Sequence, residues 1–468
     1  MKRFLSNIYG VLLVALFPNF IFGQPRIISV PKNGPDTKMI KRYLEHFENK
    51  LPFDGLSIGF HSNKTNHKGF LGAYGRGPDE LSFSVFNVKN SINYLNYTNA
   101  INDLKRLNFV KFKSNFMFLA LFSNNWVKWD DDKNWEFLLK NFREACKIAK
   151  DSGLKGIILD TETYGSAQNL DLSFYCIQFV DYLKKIDGKT VYERIGENKE
   201  NGDIGDLFYN KSKLVHLKHS EYKIGSASVT KVFLNIYKDK SNNYYYPVID
   251  EKFKDEVLKI VNKVEQRGTQ IAKILKTEFP NAEILLTCGP SYVKEVLSNI
   301  YGLNEHSTFY RTGYGLVIPF VYGMLEEANS SSLIIIDGME QTYYHKSKQE
   351  FDRSISNFYA SKGYFNNFKR NSLFDDLQIS AGLFITPKNN ESDLSVSRRF
   401  NKKEIFNSLN SVYNIRKLKY IWMYEENESY WFIPKESKRY YDGSKNTYGI
   451  YGDNESEYLK IIKSAIKR

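Results

Sequence analysis

Eight short apolar runs recur along the chain, and longer stretches with helical periodicity separate them. Strands of a parallel sheet are buried on both faces by the crossover helices, so they appear as continuous apolar runs, as in Ile157-Ile158-Leu159. Eight strand–helix units are what a closed parallel barrel requires, so the pattern predicts an α/β fold, a (β/α)8 TIM barrel. The runs cover residues 56–61, 82–86, 115–122, 156–160, 283–287, 333–337, 378–384 and 420–424.

The stretches between the runs predict helices and one large insertion. Amphipathic periodicity predicts a helix over 135–151, with Gly153 as its C-cap, and another over 253–278. Between them, a charged and Tyr-rich segment at about 187–250 fits no barrel element, so we expect an inserted subdomain after strand four. Loops at the carboxyl ends of barrel strands build the active site. The insertion therefore either forms a side or a cover of a substrate cleft, or it lies on the surface without a role in the site.

The amino terminus has the organisation of a secretory signal peptide. Met1-Lys2-Arg3 precedes a mostly apolar run at 11–22, and polar chain begins at Gly23-Gln24. The run is shorter than the ~20 apolar residues of a spanning helix, so we expect cleavage near Gly23 and a secreted or periplasmic protein with no integral membrane segment. An uncleaved anchor is the alternative. The expected divisions are a signal peptide at 1–23, a lead-in at 24–50, the barrel at 51–445 and a helical tail at 446–468.

Charge and cysteine content exclude several classes of protein. The formal net charge is +13, and removal of Lys2 and Arg3 leaves 13 − 2 = +11. This charge could favour an acidic polysaccharide, but it is not gathered into the basic runs expected for a nucleic-acid partner. Cys146, Cys176 and Cys288 are too few and too irregularly spaced for a disulfide framework or a zinc site, so we expect buried apolar side chains.

Acidic residues follow three of the predicted strands. The fourth ends Asp160-Thr161-Glu162, the sixth is followed by Glu340, and Glu425 closes the eighth. An uncompensated buried carboxylate costs several kcal/mol, so such acids either pair with Lys and Arg at the rim or serve a reaction. Glycoside hydrolysis uses a carboxyl that protonates the leaving oxygen and a second carboxylate that acts as nucleophile or base.

Aromatic and polar residues accompany these acids. Aromatic rings suit sugars, whose apolar faces stack on flat side chains. A histidine at the end of the first predicted strand could bind a sugar hydroxyl or join a metal site, although hydrogen bonding within the core is the more common role of such a residue. The expected substrate-binding residues are His61, Tyr164, Asp337, Tyr343, Tyr344, Trp422, Tyr424 and Glu426.

The segment Asp160-Thr161-Glu162-Thr163-Tyr164 resembles the Asp-x-Glu signature of barrel glycosidases of the chitinase and hexosaminidase type. That resemblance implies Glu162 as general acid and Asp160 as a residue that orients the substrate's N-acetyl group, and Trp422 matches a tryptophan on the last strand. The chain departs from the chitinase pattern where Lys155 and Ile158 replace Asp. An enzyme nucleophile or base is therefore an open alternative to substrate assistance, with Glu340 as first choice and Glu425 as second.

Short motifs around several strand ends, among them Asp337-Gly338-x-Glu340, also resemble secreted bacterial TIM-barrel proteins described as glycoside-hydrolase-like. The sequence thus predicts a secreted glycoside hydrolase acting on a poly- or oligosaccharide, with no cofactor and no metal. Two alternatives remain. One is a non-catalytic glycan-binding barrel, and the other is a phosphodiester hydrolase in which Asp160, Glu162, Asp337 and Glu340 hold Mg²⁺ or Ca²⁺.

Overall fold

The computed structural model describes residues 23–31, 35–64, 80–122, 127–163, 254–300, 314–385, 400–425 and 454–466, together with six short strands between residues 180 and 249.

Eight parallel strand positions form a closed ring. Each strand pairs with its successor in the chain, and the last pairs with the first. The seventh position consists of two segments that Ser380 joins, one paired with the sixth strand and one with the eighth. The predicted (β/α)8 barrel is confirmed by this pairing. The strands are β1 (Arg26–Pro31), β2 (Gly55–Ile58), β3 (Phe116–Phe122), β4 (Gly156–Thr163), β5 (Glu283–Leu286), β6 (Ile334–Asp337), β7 (Gln378–Ile379 and Ala381–Phe384) and β8 (Tyr420–Glu425).

One predicted strand is wrong and another was missed. Residues 82–86 form turns, because the carboxylate of Glu80 accepts hydrogen bonds from the backbone N–H groups of Ser82 and Phe83, at 2.7 and 3.4 Å. The missing strand is β1, which lies inside the segment that we expected to precede the barrel. Ser29 interrupts its apolar run, although Ser29 is fully buried, so the sequence pattern did not mark it as a strand.

Nine α-helices of the described part of the chain surround the ring. Gly153 has φ +72° at the end of α3, as its predicted C-cap role requires. Both predicted helices are confirmed as α3 and α4, and α9 lies in the predicted helical tail. The helices are α1 (Thr37–Lys50), α2 (Thr98–Lys105), α3 (Asp132–Asp151), α4 (Lys254–Glu278), α5 (Pro290–Ile300), α6 (Val317–Ala328), α7 (Lys348–Ser361), α8 (Lys402–Tyr413) and α9 (Asn454–Ala465).

The insertion after β4 contains antiparallel strands of its own. Four of them form one sheet in the order Val180–Lys185, Tyr244–Ile249, Tyr237–Lys238, Val215–His216, and Tyr222–Ile224 pairs with Ala227–Val229. The described strands of the insertion pair with one another and not with the barrel sheet. The fold therefore carries a subdomain after its fourth strand, as the sequence predicted.

Side-chain alternation divides the core into two clusters. Outward-facing side chains of the strands pack against the helices in a large apolar layer. Inward-facing side chains fill the barrel, and they combine aliphatic and aromatic residues. The inward set is Ile28, Val30, Phe116, Phe118, Ala120, Ile158, Leu285, Ile336, Tyr343, Tyr420 and Trp422.

A buried carboxylate closes the amino end of the barrel. Glu283 opens β5 and lies 2.9 Å from the Lys155 ammonium and 3.2 Å from that of Lys419. The Tyr420 hydroxyl also donates to it, at 2.7 Å. Because these partners neutralise the acid, the amino end serves stability, and the acids available for chemistry lie at the opposite end.

Candidate active site

Three carboxylates converge at the carboxyl ends of the strands. Asp160 and Glu162 have the same parity as Ile158 on β4, so both point toward the barrel mouth. Glu340 follows β6 by three residues. One side-chain oxygen from each of the three acids lies within 4.8 Å of the others. The structure thus brings together three of the four predicted catalytic acids.

Asp160 is fixed by the ends of two strands. It is buried, and its Oδ1 accepts hydrogen bonds from the Thr287 hydroxyl at 2.8 Å and from the backbone N–H of Glu162 at 3.0 Å. Glu162 itself is half-buried. A fixed inner carboxylate therefore stands beside an outer one that solvent can reach.

Hydrogen bonds of two threonine side chains join the ends of β4 and β5. The Thr161 hydroxyl donates to the carbonyl oxygen of Cys288 at 2.8 Å and accepts from the backbone N–H of Cys288 at 2.9 Å. The backbone N–H of Thr161 donates to the Thr287 hydroxyl at 3.0 Å. These bonds fix Cys288, whose thiol donates to Oε2 of Glu340 at 3.2 Å.

Electrostatics keeps that thiol protonated. Burial, together with the nearby charges of Glu340, Glu162 and Asp160, raises the pKa of the Cys288 thiol well above its ordinary value. The same causes raise the pKa of the buried Tyr343 hydroxyl. Both groups are therefore neutral beside an acidic cluster, and the thiol is a donor to it.

A strained turn positions Glu340. Met339 has φ 49° and ψ 54°, the left-handed region, which costs a β-carbon-bearing residue roughly 1–2 kcal/mol. A β-carbon on Gly338 would lie 2.4 Å from the Leu286 carbonyl oxygen, so the backbone approach there needs glycine. The backbone N–H of Glu340 then donates to the Thr287 carbonyl at 3.1 Å. The turn thus connects Glu340, which follows β6, to the end of β5.

Asp337, which we expected to bind substrate, is placed differently. Its carboxylate accepts from the backbone N–H and hydroxyl of Ser291, at 2.9 and 2.8 Å, and from the backbone N–H of Met339 at 3.0 Å. It is fully buried, and burial raises its pKa to about 6. Asp337 holds the start of α5 to the turn after β6, so it lies outside the acid cluster.

Trp422 is also placed differently from the expectation. Its indole is fully buried, and its N–H donates to the Gly338 carbonyl at 2.7 Å. The ring packs edge-on against Tyr343, with centroids 5.1 Å apart. Trp422 and Tyr343 therefore form the floor beneath the acids and support the turn that carries Glu340.

A half-buried aromatic group borders the floor. Tyr424 stacks on Tyr343 with ring centroids 5.8 Å apart, and Tyr344 stacks on Phe384 at 5.4 Å. Tyr344, Phe384 and Tyr424 keep part of their surface accessible at the carboxyl ends of β6, β7 and β8. Of the predicted aromatic residues that the structure describes, Tyr344 and Tyr424 are those that keep accessible surface.

The remaining predicted residues occupy the rim or lie outside the described residues. His61 is half-buried after β2, in a bridge with Glu80. Glu425 ends β8, but its side chain lies outside the described part of the structure, as do Tyr164 and Glu426 entirely. The predictions for these three remain predictions.

Sequence reasoning missed Thr161, Thr287, Cys288 and Glu80. The run Thr287-Cys288-Gly289 at the end of the fifth strand was a signal, because polar residues follow an apolar strand there as they do on β4. Cys288 was expected to be buried and apolar. It is buried, but it donates a hydrogen bond to an acid. Glu80 is buried in the loop after β2, and burial raises its pKa to about 8.

The acid cluster is chemically suited to two uses. Asp160, Glu162 and Glu340 offer three oxygen ligands, the type that hard divalent cations select. The same three groups provide the pair of carboxyls that acetal cleavage requires, with a third carboxyl beside the pair.

Among the described residues, no helix has the length and apolar character needed to cross a membrane.

Fold and site together define a (β/α)8 barrel protein with a three-carboxylate cluster at the carboxyl ends of its strands. No family model and no curated protein matches the sequence. Solved structures similar to this chain include a GH18 chitinase from Pseudoalteromonas aurantia, with 11% identity, a TM-score of 0.36, and coverage of 94% of this chain and 99% of that chain.

Two further solved structures are similar at comparable levels. An agarase shows 9% identity and a TM-score of 0.30, with 76% of this chain and 43% of that chain covered. An alpha-amylase from Lactobacillus plantarum shows 12% identity and a TM-score of 0.27, with 94% and 80% covered. The assignment of the barrel to this chain rests on its own strand pairing.

Proposed function

We propose that the protein is a glycoside hydrolase that cleaves O-glycosidic bonds of an oligo- or polysaccharide. The convergence of Asp160, Glu162 and Glu340 within 4.8 Å at the barrel mouth carries this proposal. Active sites of characterised barrel enzymes lie at this end of the strands. Three acids held there by neutral donors and by the backbone, beside an aromatic surface, fit acetal cleavage.

Glu162 is the proposed general acid. It is the half-buried member of the cluster, so a leaving oxygen can reach it, and the neighbouring carboxylates favour a proton on it because like charges at short range resist joint ionisation. Asp160, fixed by Thr287, supplies part of that charge and orients the acid through the backbone of Glu162.

Glu340 is the proposed nucleophile. Carboxyl groups of retaining enzymes are about 5–5.5 Å apart and those of inverting enzymes about 6.5–9.5 Å. One oxygen of Glu162 and one of Glu340 lie within 4.8 Å of each other, which is compatible with the shorter separation. In the first step a Glu340 oxygen bonds to the anomeric carbon, the bond to the leaving oxygen breaks, and the Glu162 proton moves to that oxygen. Water then gives its proton to Glu162, and its hydroxyl displaces Glu340.

The substrate is proposed to lie against the half-buried aromatic surface. Tyr344 and Tyr424 present ring area on the β6–β8 side of the acids, and sugar faces pack on such rings. The net charge of +11 without Lys2 and Arg3, obtained as 13 − 2, favours an anionic glycan. Secretion through residues 1–23 is part of the proposal, and amino-terminal sequencing of the exported protein tests it.

Hydrolysis of a panel of aryl glycosides and polysaccharides tests the function. Glu162→Gln is expected to lower kcat by about 10²–10⁴-fold, the usual contribution of a positioned acid–base group. Glu340→Gln removes the nucleophile and should lower kcat at least as much. Glu136→Gln, at an exposed position on α3, is the matched control and should retain activity. Glu162→Gln should lose least on substrates with acidic leaving groups, because these depart without a proton.

The outcomes separate the roles. Proton NMR of the first product should show the substrate's anomeric configuration, and a 2-deoxy-2-fluoro glycoside should label Glu340. Inverted product would remove Glu340 as nucleophile. Wild-type turnover in both Gln variants would refute the assignment of the site, and glycan binding without turnover would indicate the non-catalytic alternative.

Metal-dependent phosphodiester hydrolysis is the second candidate. The three-oxygen cluster favours it, since Asp160, Glu162 and Glu340 could together ligate one divalent cation. Asp337, expected to join such a site, is instead bonded to Ser291. Calorimetric titration with Mg²⁺ or Ca²⁺, and hydrolysis of an aryl phosphodiester with and without a chelator, discriminate the two candidates.

A further inference from the structure

Cys288 has a defined position relative to the acid cluster. It follows β5, the strand between the two that carry the acids, and its backbone N–H and C=O are both bonded to the Thr161 hydroxyl. The side chain is buried, with 1% of its surface exposed. Its thiol therefore has little freedom, and the 3.2 Å hydrogen bond to Oε2 of Glu340 is set by the backbone of two strands.

The chemistry of Glu340 explains what such a donor can do. Glu340 is itself buried, and two other carboxylates lie within 4.8 Å of it. Both burial and like charge disfavour an ionised carboxylate, whereas a hydrogen bond donated to it favours the ionised form. A thiol is a weak donor, so it can orient a carboxylate while leaving most of its electron density available to an incoming carbon.

We infer that Cys288 is a positioning residue of the reaction, which orients Glu340 and keeps it ionised through a thiol hydrogen bond. This inference rests on the proposed function for its catalytic meaning, but the hydrogen bond itself does not. Cys288 acts through the Glu340 carboxylate, and no step assigns it a bond to the substrate. Its raised pKa agrees with this role, because a thiolate would have no proton to donate.

The hydrogen bond is tested first, without any substrate. The S–H stretching band lies in a region of the infrared spectrum where proteins otherwise absorb little, and its frequency falls as the thiol donates more strongly. The difference between wild type and Cys288→Ala identifies the Cys288 band. In Glu340→Gln the acceptor becomes neutral, so that band should move to higher frequency. A band that does not move between wild type and Glu340→Gln overturns the inference.

Kinetics tests the catalytic meaning. Cys288→Ala is expected to lower kcat about tenfold with KM nearly unchanged, and to move the acidic limb of the pH–rate profile to higher pH, because the ionised nucleophile loses a donor. Cys288→Ser keeps a donor and should recover most of the loss. Cys146→Ala removes a cysteine that is equally buried, on α3, and should alter neither kcat nor the limb.

The two tests fail in distinguishable ways. A shifted infrared band with no glycoside hydrolysed by the wild-type protein refutes the proposed function and leaves the hydrogen bond established. A shifted band in an active enzyme whose Cys288→Ala variant keeps the wild-type pH profile overturns the positioning role. If Cys288→Ala does not fold, the Cys288→Ser variant and the band shift in Glu340→Gln still decide the inference.

Discussion

Replacing Asp337 with asparagine should change how the stability of the protein depends on pH. Burial raises the pKa of Asp337 from 3.8 to about 6 in the folded protein. The folded state therefore binds this proton more tightly than the unfolded state does. The stabilising contribution is complete below the unfolded pKa, and it is lost as the pH rises through the folded pKa.

The size of the effect follows from the two pKa values. A shift of about two units, at about 1.4 kcal/mol each, amounts to about 3 kcal/mol of unfolding free energy. Of this, about 2 kcal/mol falls between pH values of about 4.5 and 7.5, because the unfolded carboxyl is already partly ionised at the lower one. Asparagine cannot titrate, so the free energy of unfolding of the variant lacks this dependence on pH.

A second term opposes the first in the variant. The side-chain amide presents one oxygen where the carboxylate presented two, so one of the donors from Ser291 loses its acceptor, at about 1–3 kcal/mol. At neutral pH this loss is offset by the removed cost of a buried charge. The free energy of unfolding of Asp337→Asn should therefore be close to that of wild type at neutral pH, and about 2 kcal/mol below that of wild type at about pH 4.5.

The assay is urea unfolding of wild type and variant across this pH range, with the difference between the two free energies plotted against pH. Other groups, including Glu80, titrate in both proteins and cancel in that difference. Asp376→Asn, at an exposed position, controls for the change in net charge. Parallel curves for wild type and Asp337→Asn would refute the reasoning.

Two further predictions concern the barrel interior. Gly382→Ala should destabilise the protein by about 1–3 kcal/mol in urea unfolding and lower activity. The added carbon would lie 2.8 Å from the Trp422 ring and 2.9 Å from that of Tyr343. An unchanged unfolding midpoint would contradict the close packing of these two rings against Gly382. Glu283→Gln should lower the free energy of unfolding by about 2 kcal/mol. The loss should be smaller than for a fully buried ion pair, since the Lys155 side chain is 36% exposed. A lower thermal unfolding midpoint, with activity intact below it, would confirm a purely structural role.

The strand pattern predicted most of the barrel because burial of a parallel sheet leaves a local signature. Seven of the eight runs correspond to strands of the ring. The failure at 82–86 has a local cause, since the Glu80 carboxylate satisfies backbone donors that a strand would have paired. The omission of β1 has the opposite cause, because Ser29 is buried in the sheet despite its polarity.

The members of the acid cluster could be predicted from the sequence in part. Asp160, Glu162 and Glu340 were predicted from their places after strands, because the ends of parallel strands meet at one face. Alternation could also have separated Asp337 from them: Ile336 points into the barrel, so Asp337 points outward, to the helix that begins beside it.

Periodicity and strand termini are local properties of the chain, so the barrel, its insertion and the end of the barrel where acids gather could be predicted from them. The partners of each polar group become visible only once the chain is folded. Cys288 donates to Glu340 across 52 residues, and Thr287 donates to Asp160 across 127. Such contacts depend on strands that are distant in sequence and adjacent in the sheet, so no local pattern encodes them.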